Sequence, residues 1–290
     1  MSLVEQALKK MQGMRGATPP APVRPSMADA APAPVARTAP AKPGRTVHID
    51  REALRAAAIL PPPQQDRRIA DEYRHIKRPL IASAFGRGAE KIPDGHIVML
   101  ASALPGDGKT FTSINLALSI ALEKDRKALL IDADVAKPHI SRIFGVDKEP
   151  GLLDVLRDES LDIESLILPT DVPGLSILPA GQANDLATEL FASTRMQALV
   201  NQISANDPGG RMVLFDSPPL LLTSEARALS AVVGQVVLVV RAGITPQQAV
   251  FDSLDLLGAG KPISLVLNQC EEEGAAGYAQ YYGQQESKPE

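Results

Sequence analysis

The chain has 290 residues, 44% of them hydrophobic, which is enough to bury one α/β core with extensions. Aromatic residues make up only 3% and Trp is absent, so nucleic-acid binding through stacked aromatic side chains is disfavoured. The formal net charge is −4, but residues 1–45 carry seven Lys or Arg against two acidic residues. This basic start is either a solvated tail or a segment attracted to an acidic partner or membrane surface.

Cysteine content and hydropathy bound the compartment. A single cysteine, Cys270, excludes a disulfide framework and favours a reducing environment. The longest apolar runs, such as residues 236–240, fall short of the roughly 20 residues that a membrane-spanning helix needs. No signal-peptide pattern opens the chain. We therefore expect a cytoplasmic protein whose membrane contact depends on a partner.

Residues 1–45 are predicted to be a short helix followed by a disordered Pro/Ala-rich basic tether. Ser2 and Glu5 fit a capping box at the start of that helix. An apolar stripe follows at helical spacing, formed by Leu3, Ala7, Leu8 and Met11. The stripe either docks on a partner or frays in solution, since so short a helix is weak alone.

Residues 46–95 are predicted to be a helical extension. The main helix spans 67–84 and places Ile69, Tyr73, Ile76 and Leu80 on one face. Pro79 lies inside it and is expected to kink or interrupt it, because proline lacks the backbone donor and clashes with the preceding turn.

Residues 96–270 alternate apolar strands with amphipathic helices. Strands that are apolar on both faces indicate a mostly parallel sheet covered by helices on both sides, so the predicted fold class is α/β. The predicted strands are 97–101, 128–131, 175–178, 212–215, 236–240 and 263–268.

The loop after the first of these strands has the pattern of a phosphate-binding P-loop. Glycines let the backbone wrap phosphates, the lysine reaches the β and γ oxygens, the threonine can ligate Mg²⁺, and the following helix N-terminus favours an anion. Ala103 stands where the pattern usually has its first Gly. We expect a nucleotide to be bound by Pro105, Gly106, Asp107, Gly108, Lys109, Thr110 and Phe111.

Acidic residues follow two other apolar strands. Asp132 and Asp134 close the strand at 128–131, and Asp216 closes the strand at 212–215. The carboxyl edge of a parallel sheet carries the ligand crevice, so we expect these side chains to face the phosphates. Asp216 is predicted to hold Mg²⁺ through water. At the end of the last strand, Asn268 either reads the adenine edge or shapes a turn, and Cys270 is expected to be buried.

Residues 271–290 form a predicted flexible tail. It is acidic at first and then rich in Tyr, Gln and Gly, and it contains Tyr278, Tyr281 and Tyr282 out of four tyrosines in the chain. No core requires tyrosines there. The cluster is either a generic sticky tail or a set of modification sites.

Taken together, these motifs resemble the bacterial tyrosine kinases of polysaccharide export, and most closely the exosortase-associated tyrosine autokinases. The matching segments are residues 103–110, 129–138 and 214–219, with the tyrosine cluster and the opening residues 1–11. The resemblance implies a protein-tyrosine kinase that uses ATP and Mg²⁺. It implies that Lys109, Asp132 and Asp134 are catalytic, with Asp132 activating the tyrosine hydroxyl, and that the metal is held by Thr110, Asp134 and Asp216.

The resemblance also implies partners. Tyr278, Tyr281 and Tyr282 would be autophosphorylated in trans within a ring-like homo-oligomer that is sensitive to phosphorylation. Asp71, Arg74 and Lys77 match the charges of the family's self-assembly segment, although a plain solvated helix face explains the same pattern. Ala136 stands where many relatives have Arg. A membrane polysaccharide co-polymerase, or chain-length adaptor, would recruit the kinase to the inner membrane and link it to exopolysaccharide production.

Two rival functions share the fold. A switch-type P-loop ATPase of the chromosome-partitioning and division-site group would have a signature Lys where this chain has Leu104. A catalytically dead scaffold would have lost Lys109, Asp132 or Asp216, and all three are present.

Overall fold

Apolar strands form the centre of the molecule in a computed structural model that describes residues 45–86, 88, 90–206, 210–258 and 260–270. Within them lies a seven-stranded sheet of order β3-β4-β2-β5-β1-β6-β7, parallel except for the short β3, which runs antiparallel to β4. The predicted mostly parallel α/β fold is confirmed. The strands are β1 Ile97–Ser102, β2 Lys127–Asp132, β3 Leu168–Pro169, β4 Leu175–Leu178, β5 Arg211–Asp216, β6 Gln235–Arg241 and β7 Ile263–Asn268.

Helices cover both faces of the sheet, because the central strands are buried on both sides. Two consecutive residues of β1 show this, because their side chains point to opposite faces of the sheet. Met99 belongs to one apolar cluster and Leu100 to the other, and neither has exposed surface. The helices are α1 Arg51–Ala56, α2 Asp66–Phe85, α3 Lys109–Ala121, α4 His139–Ile143, α5 Leu152–Arg157, α6 Ile163–Leu166, α7 Ala187–Phe191, α8 Thr194–Asn206, α9 Ser224–Ala231 and α10 Gln247–Leu257. None of these helices is long and apolar enough to cross a membrane.

The N-terminal part of the described chain packs on the sheet. Val47 is buried, and its N–H donates to the carbonyl oxygen of Pro169, the last residue of strand β3, at 2.8 Å. Helix α2 continues through Pro79, so the expected interruption is wrong. The N–H that proline lacks leaves one carbonyl without its helical donor, and the apolar contacts of Tyr73, Leu80 and Ala84 with the core hold the helix on either side.

The last strand differs from the others. Strand β7 lies at the edge of the sheet, and the side chains of Leu265 and Leu267 are mostly exposed. Cys270, just beyond it, is also exposed. The expected burial of Cys270 is therefore wrong, because this residue lies just beyond an exposed edge strand.

Candidate active site

The P-loop is built between β1 and α3 by residues that require its unusual backbone. Gly106 and Gly108 have φ values of 86° and 97°, the left-handed region that favours glycine. A Cβ on Gly108 would lie 1.9 Å from Nδ2 of Asn268. Any other residue at this position would be strained by the backbone and would require the Asn268 side chain to move.

Side chains brace the loop from inside. Asp107 is buried, and its Oδ2 accepts from the N–H of Leu104 at 3.0 Å while its Oδ1 accepts from the hydroxyl of Thr245 at 2.7 Å. Asn268 donates from Nδ2 to the carbonyl oxygen of Asp107 at 2.9 Å. Asp107 and Asn268 were both expected to bind nucleotide, and the structure gives both of these side chains a bracing contact. These three hydrogen bonds hold the backbone of the loop in one conformation without a bound ligand, which is what preorganisation means.

The first turn of α3 is bonded to the end of β5. The hydroxyl of Thr110 donates to Oδ2 of Asp216 at 2.8 Å, and the hydroxyl of Ser113 donates to Oδ1 of the same carboxylate at 2.9 Å. Burial raises the pKa of Asp216, and nearby Lys109 opposes that rise. This arrangement holds the Thr110 oxygen and the Asp216 carboxylate together.

The two acids of the β2 end occupy different depths. Asp134 and Lys109 border a cavity of about 630 Å³, together with Gly106, Gly108, Thr110 and Lys137. Burial raises the pKa of Asp134, and Lys109 opposes it. Asp132 has no exposed surface and does not border this cavity, so of the two acids only Asp134 lines it.

Asp132 is held from one side only. Its Oδ2 accepts from the backbone N–H and the hydroxyl of Ser141 at 2.8 and 2.7 Å, whereas Oδ1 is buried without any hydrogen-bond partner. Burial raises the pKa of Asp132 to about 7, and the bonds from Ser141 oppose that rise. Strand pairing places Asp132 directly opposite Asp216, and the proximity of these two carboxylates also favours the protonated form.

A second cavity, of about 810 Å³, lies on the other side of the P-loop helix. Phe111 and Asn268 line it with Tyr73 and Ile76 of α2. Phe111 also borders the first cavity. The P-loop is thus flanked by two openings that share one aromatic side chain.

The three residues proposed for self-assembly lie on two sides of α2. Asp71 and Arg74 are exposed and pair with each other. Lys77 is buried, and its ammonium contacts the carbonyl oxygen of Ser119 and the carboxylate of Glu123, both at 2.6 Å. Lys77 is therefore corrected from an intersubunit to an intramolecular contact. Tyr278, Tyr281 and Tyr282 lie outside the described residues.

A metal would have limited help from protein side chains alone. Among the described residues, no group of three or more His, Cys, Asp or Glu is arranged to hold a metal ion. Mg²⁺ commonly uses one or two protein ligands, several waters and the phosphates of its substrate. The Thr110–Asp216 pair and Asp134 fit that kind of site.

Sequence reasoning missed three polar side chains of this site. Ser113 and Thr245 bond Asp216 and Asp107, and Ser141 bonds Asp132. Only Ser113 had a local signal, because it lies one turn after the P-loop lysine. The other two are brought in by the fold.

Comparisons with known proteins identify the family of the chain. Residues 95–247 match the AAA domain family, which defines the class of the core. Tyrosine-protein kinase YwqD of Bacillus subtilis (strain 168) is 31% identical over 192 residues, covering 66% of this chain and 76% of YwqD. The chain belongs to the family of bacterial tyrosine-protein kinases.

Solved and longer relatives extend the match. The kinase domain of Escherichia coli tyrosine kinase ETK superposes with a TM-score of 0.61 at 29% identity, covering 71% of this chain and 77% of that domain. The tyrosine-protein kinase etk of Escherichia coli (strain K12) is 32% identical over 181 residues, which are 62% of this chain and 22% of etk. This chain covers only 19% of the putative tyrosine-protein kinase EpsB of Ralstonia nicotianae (strain ATCC BAA-1114 / GMI1000). The chain thus spans about a fifth of the length of these two curated relatives.

Proposed function

We propose that the protein is a tyrosine kinase that transfers the γ-phosphoryl group of ATP to tyrosines of its own C-terminal tail. The observation that carries the proposal is the cavity at the P-loop, where Lys109, Thr110 and Asp134 meet and Thr110 is bonded to Asp216. Phosphoryl transfer depends on positioning and on neutralising charge around the phosphates, and these residue types supply both.

The P-loop backbone from Pro105 to Thr110 would hold the phosphates, with Lys109 reaching the γ-phosphate. Phe111 and Asn268, which line the second cavity, would lie beside the base. Mg²⁺ would be held by Thr110 and Asp134, and by Asp216 through water. When bound, the metal supplies positive charge against the β- and γ-phosphate oxygens.

Asp132 would take the proton of the tyrosine hydroxyl. A carboxylate whose pKa lies at about 7 is suited to act as a general base near neutral pH. In the transfer, the tyrosine oxygen bonds the γ-phosphorus, the bond from that phosphorus to the bridging oxygen of ADP breaks, and the proton goes to Asp132. Because Asp132 has no exposed surface, the hydroxyl reaches it only if the residues that cover it move.

Tyr278, Tyr281 and Tyr282 would be the acceptors, and transfer would occur in trans within a ring-like homo-oligomer. Asp71 and Arg74, on the exposed side of α2, would contribute to that assembly, and Lys77 is excluded because it is buried. Each added phosphate brings about −1.5 to −2 charges to a tail that already holds Glu271, Glu272 and Glu273. Phosphorylation would then loosen the ring by repulsion.

The kinase would work in the cytoplasm, recruited to the inner membrane by a polysaccharide co-polymerase of the chain-length adaptor type, and would regulate exopolysaccharide production. The family membership supports this role. The exosortase-associated subgroup stays a prediction.

Purified protein incubated with Mg-ATP tests the proposal by intact mass and peptide mapping. Lys109→Met should remove all phosphotyrosine, because the γ-phosphate loses its lysine. A variant with all three tail tyrosines changed to Phe should remove the tail signal. Lys124→Met, the same change at an exposed lysine, should phosphorylate normally.

Mixing the Lys109→Met variant with the triple Phe variant tests transfer in trans. Lys109→Met keeps the acceptor tyrosines, and the triple Phe variant keeps the active site, so phosphate on the Lys109→Met chain requires an intermolecular step. ATP hydrolysis without phosphotyrosine, persisting when an adaptor segment is added, would replace the kinase by the switch-type ATPase.

A further inference from the structure

We propose that Ser141 is a positioning residue that fixes the orientation of the Asp132 carboxylate, so that Oδ1 is the oxygen left to accept the proton. The inference deepens the proposed function, on which it rests. Ser141 lies in α4, nine residues from Asp132, and carries no signature of a catalytic motif.

Two donors from one residue converge on one oxygen. Both the N–H and the hydroxyl of Ser141 donate to Oδ2 of Asp132, at 2.8 and 2.7 Å. Neither residue has more than 1% of its surface exposed, so water does not compete for these bonds. Hydrogen bonds to a buried charged group are stronger than those at the surface.

The direction of the hydroxyl bond is set by a third residue. The N–H of Ala180 donates to Oγ of Ser141 at 3.1 Å, which leaves the hydroxyl proton free to point to Asp132. The segment around Ala180 is itself anchored, because Oδ2 of Asp154 accepts from the N–H groups of Gly151 and Gln182 at 2.9 and 3.1 Å. Ser141 therefore links the Asp132 carboxylate to this anchored segment of the backbone.

This arrangement has a consequence for reactivity. A carboxylate can turn about its last bond and exchange its two oxygens. With Oδ2 held by two donors, rotation breaks both bonds, so Oδ1 stays unpartnered. A general base needs one oxygen within hydrogen-bond reach of the proton that it removes, and a carboxylate held in this orientation presents Oδ1 once the residues that cover it move.

A purely structural explanation makes a different prediction. The N–H of Ser141 lies in the first turn of α4, where backbone donors lack helical partners, and Asp132 satisfies it as a cap would. In that case the hydroxyl would matter for stability and not for turnover.

The test is a double-mutant cycle with Ser141→Ala, Asp132→Asn and the combined variant, using the full chain with Mg-ATP. Phosphotyrosine formation and ATP turnover are both measured, with kcat and KM for ATP separated and thermal unfolding as a check on folding. Ser253→Ala, which removes a buried hydroxyl bonded to the Ala249 carbonyl oxygen in α10, is the matched control.

We expect Ser141→Ala to lower kcat about tenfold with KM for ATP little changed, because the carboxylate is misoriented and the P-loop is untouched. In the Asp132→Asn background the same change should have no further effect, since residues acting as a unit are not additive. Ser253→Ala should leave kcat unchanged. Independent losses that multiply, a rise in KM alone, or an unchanged kcat would overturn the inference.

The two proposals fail separately. If the protein hydrolyses ATP without forming phosphotyrosine, a non-additive loss of ATP turnover still supports the role of Ser141 while the kinase proposal falls. If phosphotyrosine forms and the losses multiply, the kinase proposal stands and the role of Ser141 falls. A protein that neither hydrolyses ATP nor forms phosphotyrosine contradicts both the kinase proposal and the role of Ser141.

Discussion

Two buried charges in this molecule have opposite surroundings. Lys77 of α2 is buried with its ammonium against the Ser119 carbonyl oxygen and the Glu123 carboxylate. Asp132 of β2 is buried with one oxygen bonded twice and the other not at all. A buried charge whose polar atoms have partners is compensated for its lost hydration, whereas one left partly unpartnered costs stability. Lys77 is therefore expected to act as a structural ion, and the charged form of Asp132 is expected to destabilise the fold.

The largest effect should come from Lys77→Ala. The change removes the lysine's packed stem and leaves the Ser119 carbonyl oxygen without its donor, so we expect the free energy of unfolding to fall by about 3 kcal/mol. Denaturant unfolding measures it, with Lys124→Ala as the control at an exposed lysine. A loss as small as that of the control would mean that Lys77 is not a structural ion.

Asp132→Asn should have the opposite sign. The folded-state pKa of Asp132 is about 7, above its ordinary value of 3.8, so the folded protein retains a proton that the unfolded chain has released. Stability is therefore lost as pH rises from the unfolded to the folded pKa. Removing the charge should stabilise the metal-free protein by on the order of 2 kcal/mol at pH 8 and by little near pH 4.

Unfolding in EDTA at the two pH values checks this prediction. Asp125→Asn, at an exposed aspartate, is the control and should change stability equally little at both. A destabilised Asp132→Asn at pH 8 would show that the carboxylate is needed by the fold itself.

The smallest effect should come from Asp71→Ala. Its pair with Arg74 is exposed on the surface of α2, and such pairs contribute less than about 0.5 kcal/mol. Monomer stability should hardly change. If Asp71 contributes to self-assembly, light scattering should instead show a smaller assembly for the variant than for the unchanged protein. An unchanged size would mean that Asp71 is not part of the interface.

Much of the fold could be predicted from periodicity, because each central strand is a short apolar run bounded by polar residues. The P-loop could be predicted because its chemistry is local: seven consecutive residues carry it. Strand β3 could not, since two residues give no periodic signal.

The site was less predictable where its contacts are long-range. Thr245 reaches Asp107 across 138 positions, and no local pattern announces such a contact. Lys77 had a signal that was misread. It falls at helical spacing with Tyr73, Leu80 and Ala84 on the buried side of α2, where a lysine reads as polar although its stem packs with the apolar residues.

The bond between Asn268 and the P-loop carbonyl of Asp107 has a mechanical consequence. Asn268 is the final residue of β7, and the chain continues two residues later from Cys270 into the tyrosine-bearing segment. One hydrogen bond therefore links the end of the edge strand to the backbone of the P-loop. A displacement of Asn268 would be passed directly to the loop at Asp107, without any change in the core of the sheet.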